Sequence, residues 1–177
     1  MSGHNKFSKI KHQKAANDAK KSNVFGKLVR FITVEAKKSG GNLKSPGLAL
    51  AIEKARKENM PNDTIERAIK KATTDNSAQM ENIQYESYGP GGIAILVEVL
   101  TDNRNKAAQE IKAILARHGA ELASPGSASW AFAKGPDGVI AATTTMPLED
   151  EDIEKLQALV EALEENEEVQ EVFTNAE

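Results

Sequence analysis

The chain of 177 residues is 40% apolar and 28% charged, with 23 Lys+Arg against 26 Asp+Glu for a formal net charge of −3. That length buries one generous core or two small ones. The absence of cysteine excludes a disulfide framework, a thiolate nucleophile and a Cys-based zinc site, and no apolar run approaches the roughly 20 residues of a membrane span.

The chain therefore reads as soluble and cytoplasmic, with no membrane partner. Its start is rich in Lys with no Arg before Arg30, which argues against a mitochondrial presequence. Charge divides it. Residues 1–71 hold 17 Lys+Arg against 6 Asp+Glu, a net of +11, whereas residues 72–177 hold 6 against 20, a net of −14. A basic half joined to an acidic half suits a protein that turns one surface to a polyanion and keeps the other away from it. Two domains are expected, 1–76 and 80–177.

In chain order, the first 30 residues carry eight cations (Lys6, Lys9, Lys11, Lys14, Lys20, Lys21, Lys27 and Arg30) against one carboxylate, Asp18. Residues 1–12 offer only Phe7 and Ile10 for burial, so a mobile basic arm is expected there. From about Lys14 onward, Phe25, Leu28, Val29, Ile32 and Ala36 recur at helical spacing, with Lys20, Lys27, Arg30, Lys37 and Lys38 on the other side. This predicts a basic amphipathic helix, ended by Gly40-Gly41-Asn42. Ser45-Pro46 opens a second helix that buries Leu48, Ile52 and Ala55. In a third, Pro61 lies near the first turn and Asp63 and Glu66 have capping-box spacing. Ile65, Ala68, Ile69 and Ala72 face inward there, and Arg67, Lys70 and Lys71 outward. The three helices make a small bundle with a basic exterior.

The polar run Thr73 to Met80 marks the boundary, after which alternation replaces helical spacing. Asn82 to Ser87 predicts a strand, Gly89-Pro90-Gly91-Gly92 a turn, and Ile93 to Leu100 a central strand, apolar on both faces. Thr101-Asp102-Asn103 caps a helix whose Ala107, Ile111, Ile114, Leu115 and His118 share a face, and Gly119 ends it. Ser127 to Phe132 and Gly138 to Thr143 predict a hairpin across Lys134-Gly135-Pro136-Asp137, with Trp130 and Phe132 both pointing into the core. A last helix over about Glu149 to Glu165 buries Ile153, Leu156, Val160 and Leu163, and Val169 to Thr174 closes the fold as a strand. Residues 148–177 carry twelve carboxylates against one cation, Lys155, a surface that repels nucleic acid. The fold class is α+β: a basic three-helix bundle, then an antiparallel sheet with two covering helices in the order strand-strand-helix-strand-strand-helix-strand.

The arm and first helix can place Lys6, Lys9, Lys11, His12, Lys14, Lys20, Lys21, Lys27 and Arg30 against phosphates, a binding mode driven by counterion release and largely independent of sequence. Phe7 and Phe31 are either base-stacking residues or packing residues. Tyr85, Tyr88 and Arg104 are secondary contact candidates. The Gly89-Pro90-Gly91-Gly92 turn has the glycines of a phosphate cradle, yet it leads into a strand without a following Gly-Lys-Ser/Thr, so it reads as a hairpin turn displaying the two tyrosines. Catalysis finds no constellation: His4, His12 and His118 are dispersed, and no nucleophile elbow is present. No enzyme activity, cofactor or small-molecule substrate is expected. Ser2-Gly3-His4 would offer a square-planar set to Cu(II) or Ni(II) if Met1 were removed, a property of any chain with His in that place, and no physiological metal is assigned.

Several long motifs then converge on one family. Gly3-His4 through Ala16, Asp18-Ala19-Lys20, Asn59-Met60-Pro61 with Asp63-Thr64-Ile65, Tyr85 through Gly92, and Thr101 through Asn105 resemble the YebC/PmpR family, which includes the mitochondrial translational activator of cytochrome oxidase. The resemblance runs to about Ile140 and resumes near Leu156, ending in Val169 through Asn175. It implies either a translation factor that binds the ribosome and ribosomal RNA and eases synthesis through proline-rich stretches, or a DNA-binding transcriptional regulator. Phe7 stands where the family usually has Trp. Family members also usually carry a further small domain between the hairpin and the acidic helix, where this chain has only Ala141 to Pro147. A flexible lysine-rich arm suits irregular RNA better than reading of a duplex groove, because Lys positions on phosphate and specifies bases poorly.

Overall fold

The computed structural model describes residues 18–75 and 79–177, with side chains from residue 23 onward. They fall into two compact units, Asp18–Glu81 and Asn82–Glu177. In the first, α1 (Asp18–Ser39) packs on α2 (Pro46–Lys57) and α3 (Asn62–Thr74). The shared core joins Ile32 and Ala36 of α1 to Leu48, Ala51 and Ala55 of α2, Met60, and Ile65, Ala68 and Ala72 of α3. Helical spacing selects these positions apart from Ala51 and Met60, and the other residues it selects, Phe25, Leu28, Val29, Ile52 and Ile69, pack against this core half-buried. At the end of α1, Gly40 and Gly41 take φ of 58° and 80°, and the Gly41 N–H donates to the Ala36 carbonyl at 2.8 Å. This closes the helix with its last carbonyls partly satisfied. The third helix begins differently from its sequence signature. Pro61 occupies the N-cap, and no side-chain cap bond forms. Asp63 therefore lies inside the first turn, where its charge favours the helix dipole but its carboxylate does not cap.

The second unit is built on a four-stranded sheet in the order β3-β1-β2-β6, formed by β1 (Glu81–Tyr88), β2 (Ala94–Thr101), β3 (Glu121–Ala123) and β6 (Val169–Thr174). The pairs β1–β3 and β2–β6 are antiparallel, with a register shift between Glu98 and Val99. Two helices, α4 (Arg104–Arg117) and α5 (Asp150–Glu164), cover one face. There Ile95, Val97 and Val99 of β2 pack with Ile111 and Leu115 of α4, Leu156, Leu159 and Leu163 of α5, and Val169 and Val172 of β6. The fold is α+β, as the alternation predicts. The Asn103 side chain caps α4 by accepting from the Lys106 N–H at 3.1 Å.

Two elements depart from the sequence expectation. The stretch at 127–132 is not a strand: Ser129–Ala131 is a 3₁₀ turn, and only β4 (Phe132–Lys134) pairs with β5 (Ile140–Ala142), in a two-stranded sheet of their own. Trp130 does not enter the core, its side chain being largely solvent-exposed, while Phe132 is half-buried against Ala94, Ala128 and Ala131. The physical reason is a competing acceptor, the Glu86 carboxylate, described below. β3 was missed because three residues are too few to show alternation.

The buried Asn175 side chain fastens the end of β6. It accepts from the Ala94 N–H at 2.8 Å and donates to the Thr144 carbonyl at 3.1 Å, tying β2 to the link that follows β5. Among the described residues no helix is long and apolar enough to cross a membrane. Replacing the fully buried Leu156 by Ala is expected to destabilise this unit by about 2–5 kcal/mol. Urea unfolding followed through the single tryptophan, which lies in the same unit, measures it.

Candidate nucleic-acid interface

Of the cations singled out in the sequence, Lys6, Lys9, Lys11, His12 and Lys14 lie outside the described residues, as does Ser2-Gly3-His4. Lys20 and Lys21 fall on the first turn of α1, and their side chains are likewise outside the described set. Lys27 and Arg30 follow on the same helix and are half-buried. The remainder of the helical unit adds a larger set. Lys44, Lys54, Arg56, Lys57, Arg67, Lys70 and Lys71 are all exposed. One long and two shorter helices with small apolar contact faces leave much of their surface to solvent, and this sequence places many Lys and Arg on that surface. Residues 18–81 carry 13 Lys+Arg against 8 Asp+Glu, and residues 82–177 carry 6 against 18. Such a surface attracts phosphates without selecting a base sequence.

Lys57 of this set pairs with Glu53 at 2.9 Å, and Lys38 of α1 with Glu35 at 3.0 Å, each within its own helix. The exposed Lys57–Glu53 pair contributes little to stability. Phe31, one candidate for base stacking, is half-buried against the bundle core, with the Lys54 ammonium 5.6 Å from its ring centroid. Its ring serves packing, with a cation–π contact on its outer side.

The secondary candidates separate. Tyr85 and Tyr88 are three residues apart on β1, so the pleat sends them to opposite faces and the turn does not display both. Tyr85 packs on the main core, and its hydroxyl donates to the Arg104 carbonyl at 3.5 Å. Arg104 itself is exposed at the first position of α4. Gly89-Pro90-Gly91-Gly92 forms a 3₁₀ turn seated on the start of α5. A side chain at Gly91, whose φ is 68°, would collide with Leu148 and stand 3.3 Å from an Asp152 carboxylate oxygen. The glycine thus serves a close approach between elements, and the nearby carboxylate disfavours a phosphate there.

Sequence reasoning missed the most constrained polar group of this unit. Glu86 is buried at 7% exposure, and its carboxylate accepts from the Gly126, Ala128 and Ser129 N–H groups at 2.6, 2.7 and 2.8 Å. These donors are thereby withdrawn from any strand ladder, which is why the predicted strand is a looped turn. Burial pushes the Glu86 carboxyl up, but the three backbone bonds and one from Ser129 outweigh it and hold it below the usual value of 4.5. Tyr88 lies on the same face of β1. Its hydroxyl donates to the Ser127 carbonyl and accepts from Trp130 Nε1 at 3.0 Å. No local pattern announces this cluster, because its members are about 40 residues apart.

Because the folded-state carboxyl titrates lower than the unfolded one, the stability Glu86 contributes is full above pH 4.5 and is lost as the pH falls through its depressed value. Glu86→Gln is expected to cost about 1–3 kcal/mol at neutral pH and to flatten the acid limb of the stability curve. Urea unfolding at a series of pH values, read through Trp130 emission, checks both.

Residues 5–75 match the family described as the TACO1/YebC protein N-terminal domain, and residues 80–140 the TACO1/YebC second and third domain. A probable transcriptional regulatory protein of Petrotoga mobilis is 46% identical over 98% of this chain and 70% of its own length. One of Thermotoga petrophila is 50% identical over 75% of this chain and 53% of its own length. The chain thus spans between about half and 70% of the length of these relatives. The crystal structure of a conserved hypothetical protein of Aquifex aeolicus superposes with a TM-score of 0.80 at 28% identity, covering 90% of this chain and 91% of that one.

Proposed function

Since the chain belongs to the TACO1/YebC family, we propose that it is a nucleic-acid-binding regulator whose target is ribosomal RNA and whose site of action is the ribosome. The observation that carries this reading is the charge partition. The helical unit exposes seven cations from Lys44 to Lys71, and the sequence from Lys6 to Arg30 carries eight more, whereas the sheet unit holds three carboxylates for each cation. Polyanion contact is thereby restricted to the arm and bundle. Lys6, Lys9, Lys11, His12, Lys14, Lys20, Lys21, Lys27 and Arg30 are the proposed phosphate-contacting residues, joined by Arg56, Arg67, Lys70 and Lys71.

RNA is preferred to duplex DNA because groove reading needs a rigid helix carrying base-contacting Arg, Asn or Gln, whereas the cations of the arm and α1 are lysine apart from Arg30. α1 presents mainly lysine outward, and lysine holds phosphate without reporting base identity. The family resemblance adds the biological step, easing of elongation through proline-rich stretches. A DNA-directed role is the second reading, favoured by the name carried by the relatives, probable transcriptional regulatory protein. Neither reading involves a chemical transformation.

Co-sedimentation with ribosomes, set against binding to random duplex DNA at matched salt, tests the choice: preferential ribosome binding is expected, and preferential duplex binding would reverse it. Affinity is expected to fall by about three to five decades between about 50 and 200 mM salt. Deleting residues 2–13 is expected to abolish ribosome binding while the circular dichroism spectrum stays helical. Unchanged binding by that deletion would remove the arm from the proposal. Substituting Arg67, Lys70 and Lys71 with Gln is expected to lower the salt slope by about 0.7 to 0.9 for each phosphate that these side chains neutralise.

A further inference from the structure

The aromatic pair on the sheet unit is not explained by nucleic-acid binding through the arm. Tyr88, at the end of β1, and Trp130, on the 3₁₀ turn, are 37% and 56% exposed, although both are tied to the loop that Glu86 holds. The Glu86 carboxylate holds the backbone of residues 126–129 by three hydrogen bonds, and the Tyr88 hydroxyl joins Ser127 to the Trp130 indole. The polar atoms of both rings are thus engaged within the protein. What the pair offers outward is ring surface, held in place before any partner arrives.

The surroundings decide what would sit on that surface. Tyr88 lies directly across from Glu121 in the β1–β3 register, so the exposed Glu121 side chain stands on the same face, about 5 Å away at Cβ. Beneath the loop lies the Glu86 carboxylate, and residues 82–177 as a whole carry 18 carboxylates against 6 cations. Phosphates are repelled from such a place. A proline-rich ligand is poorly served as well, because the indole N–H that would donate to its carbonyls is already bonded to Tyr88. A cation gains on both counts, from the negative faces of the rings and from the carboxylate beside them.

We propose that Tyr88, Trp130 and Glu121 form a docking site for an arginine side chain of a basic protein segment, the guanidinium lying over the exposed rings and pairing with the Glu121 carboxylate. Arginine is favoured over lysine because its flat, weakly hydrated guanidinium stacks on a ring while its edge still donates to a carboxylate. The site would give the acidic unit a protein partner, separately from whatever nucleic acid the basic unit holds.

Trp130 is the only tryptophan in the chain, so its emission reports on this site alone. Titrating the full chain with an Arg-Gly repeat peptide is expected to shift or quench that emission, with a smaller response to the Lys-Gly peptide of equal length. In anisotropy measurements on a labelled Arg-Gly peptide, Trp130→Ala is expected to weaken binding about two- to fivefold, Glu121→Gln by a similar or smaller factor, and Trp130→Phe to restore most of the loss. Circular dichroism of each variant confirms that the exposed substitutions leave the fold intact. A peptide that leaves the emission unmoved, or equal affinity of the wild type and Trp130→Ala, would overturn the proposal. So would a titration in which oligouridylate moves Trp130 emission and the Arg-Gly peptide does not, which would make the pair a nucleobase platform. The reading of the arm is tested by different residues and survives either result.

Discussion

The burial of β2 on both faces is the constraint from which the sheet unit follows. Ile95, Val97 and Val99 demand one apolar cover, which α4 and α5 provide, while Ala94 on the other face is covered by Ala128, Ala131 and Phe132. That second cover is a loop and a 3₁₀ turn rather than a helix, so its backbone donors need acceptors that no regular element supplies. Glu86 answers this need with a single carboxylate set on the neighbouring strand. Its burial is tolerable only because three N–H groups converge on it.

The same arrangement brings Tyr88 and Trp130 to the surface. Once Glu86 draws the backbone of 126–129 against β1, Trp130 is carried outward past the core, and its indole finds the Tyr88 hydroxyl. Core packing and surface chemistry are therefore linked here. A strand at 127–132 with Trp130 turned inward would have left no aromatic pair outside. The helical unit obeys a simpler rule, since its alanine-rich contact faces let its three helices approach closely and leave a wide exterior for charge.

Partition of charge between the units gives each a surface suited to a different class of ligand. Exposed cations from Lys44 to Lys71 suit phosphates, whereas the aromatic pair beside Glu121 suits cations. Opposed signs on one chain also discourage either unit from occupying the other's ligand. Between β5 and α5 the chain has only residues 143–149, so the short hairpin passes almost directly into the acidic helix.

The sequence by itself determined the helices of the bundle, the central place of β2, a cap of α4 within Thr101-Asp102-Asn103, the acidic last helix and the α+β class. In each, the signal is local: apolar residues repeat at the period of the element, and caps sit within a few residues of the ends they serve. The missing capping bond at Asp63 shows the limit of such signals, because Pro61 had already set where the helix begins. Tertiary structure alone decided the Glu86 staple, the looped form of 126–131 and the exposure of Trp130. These depend on a carboxylate meeting backbone donors some 40 residues further along the chain. The β1–β3 pairing brings the two stretches together, and strand pairing at that separation leaves no periodic trace in either of them.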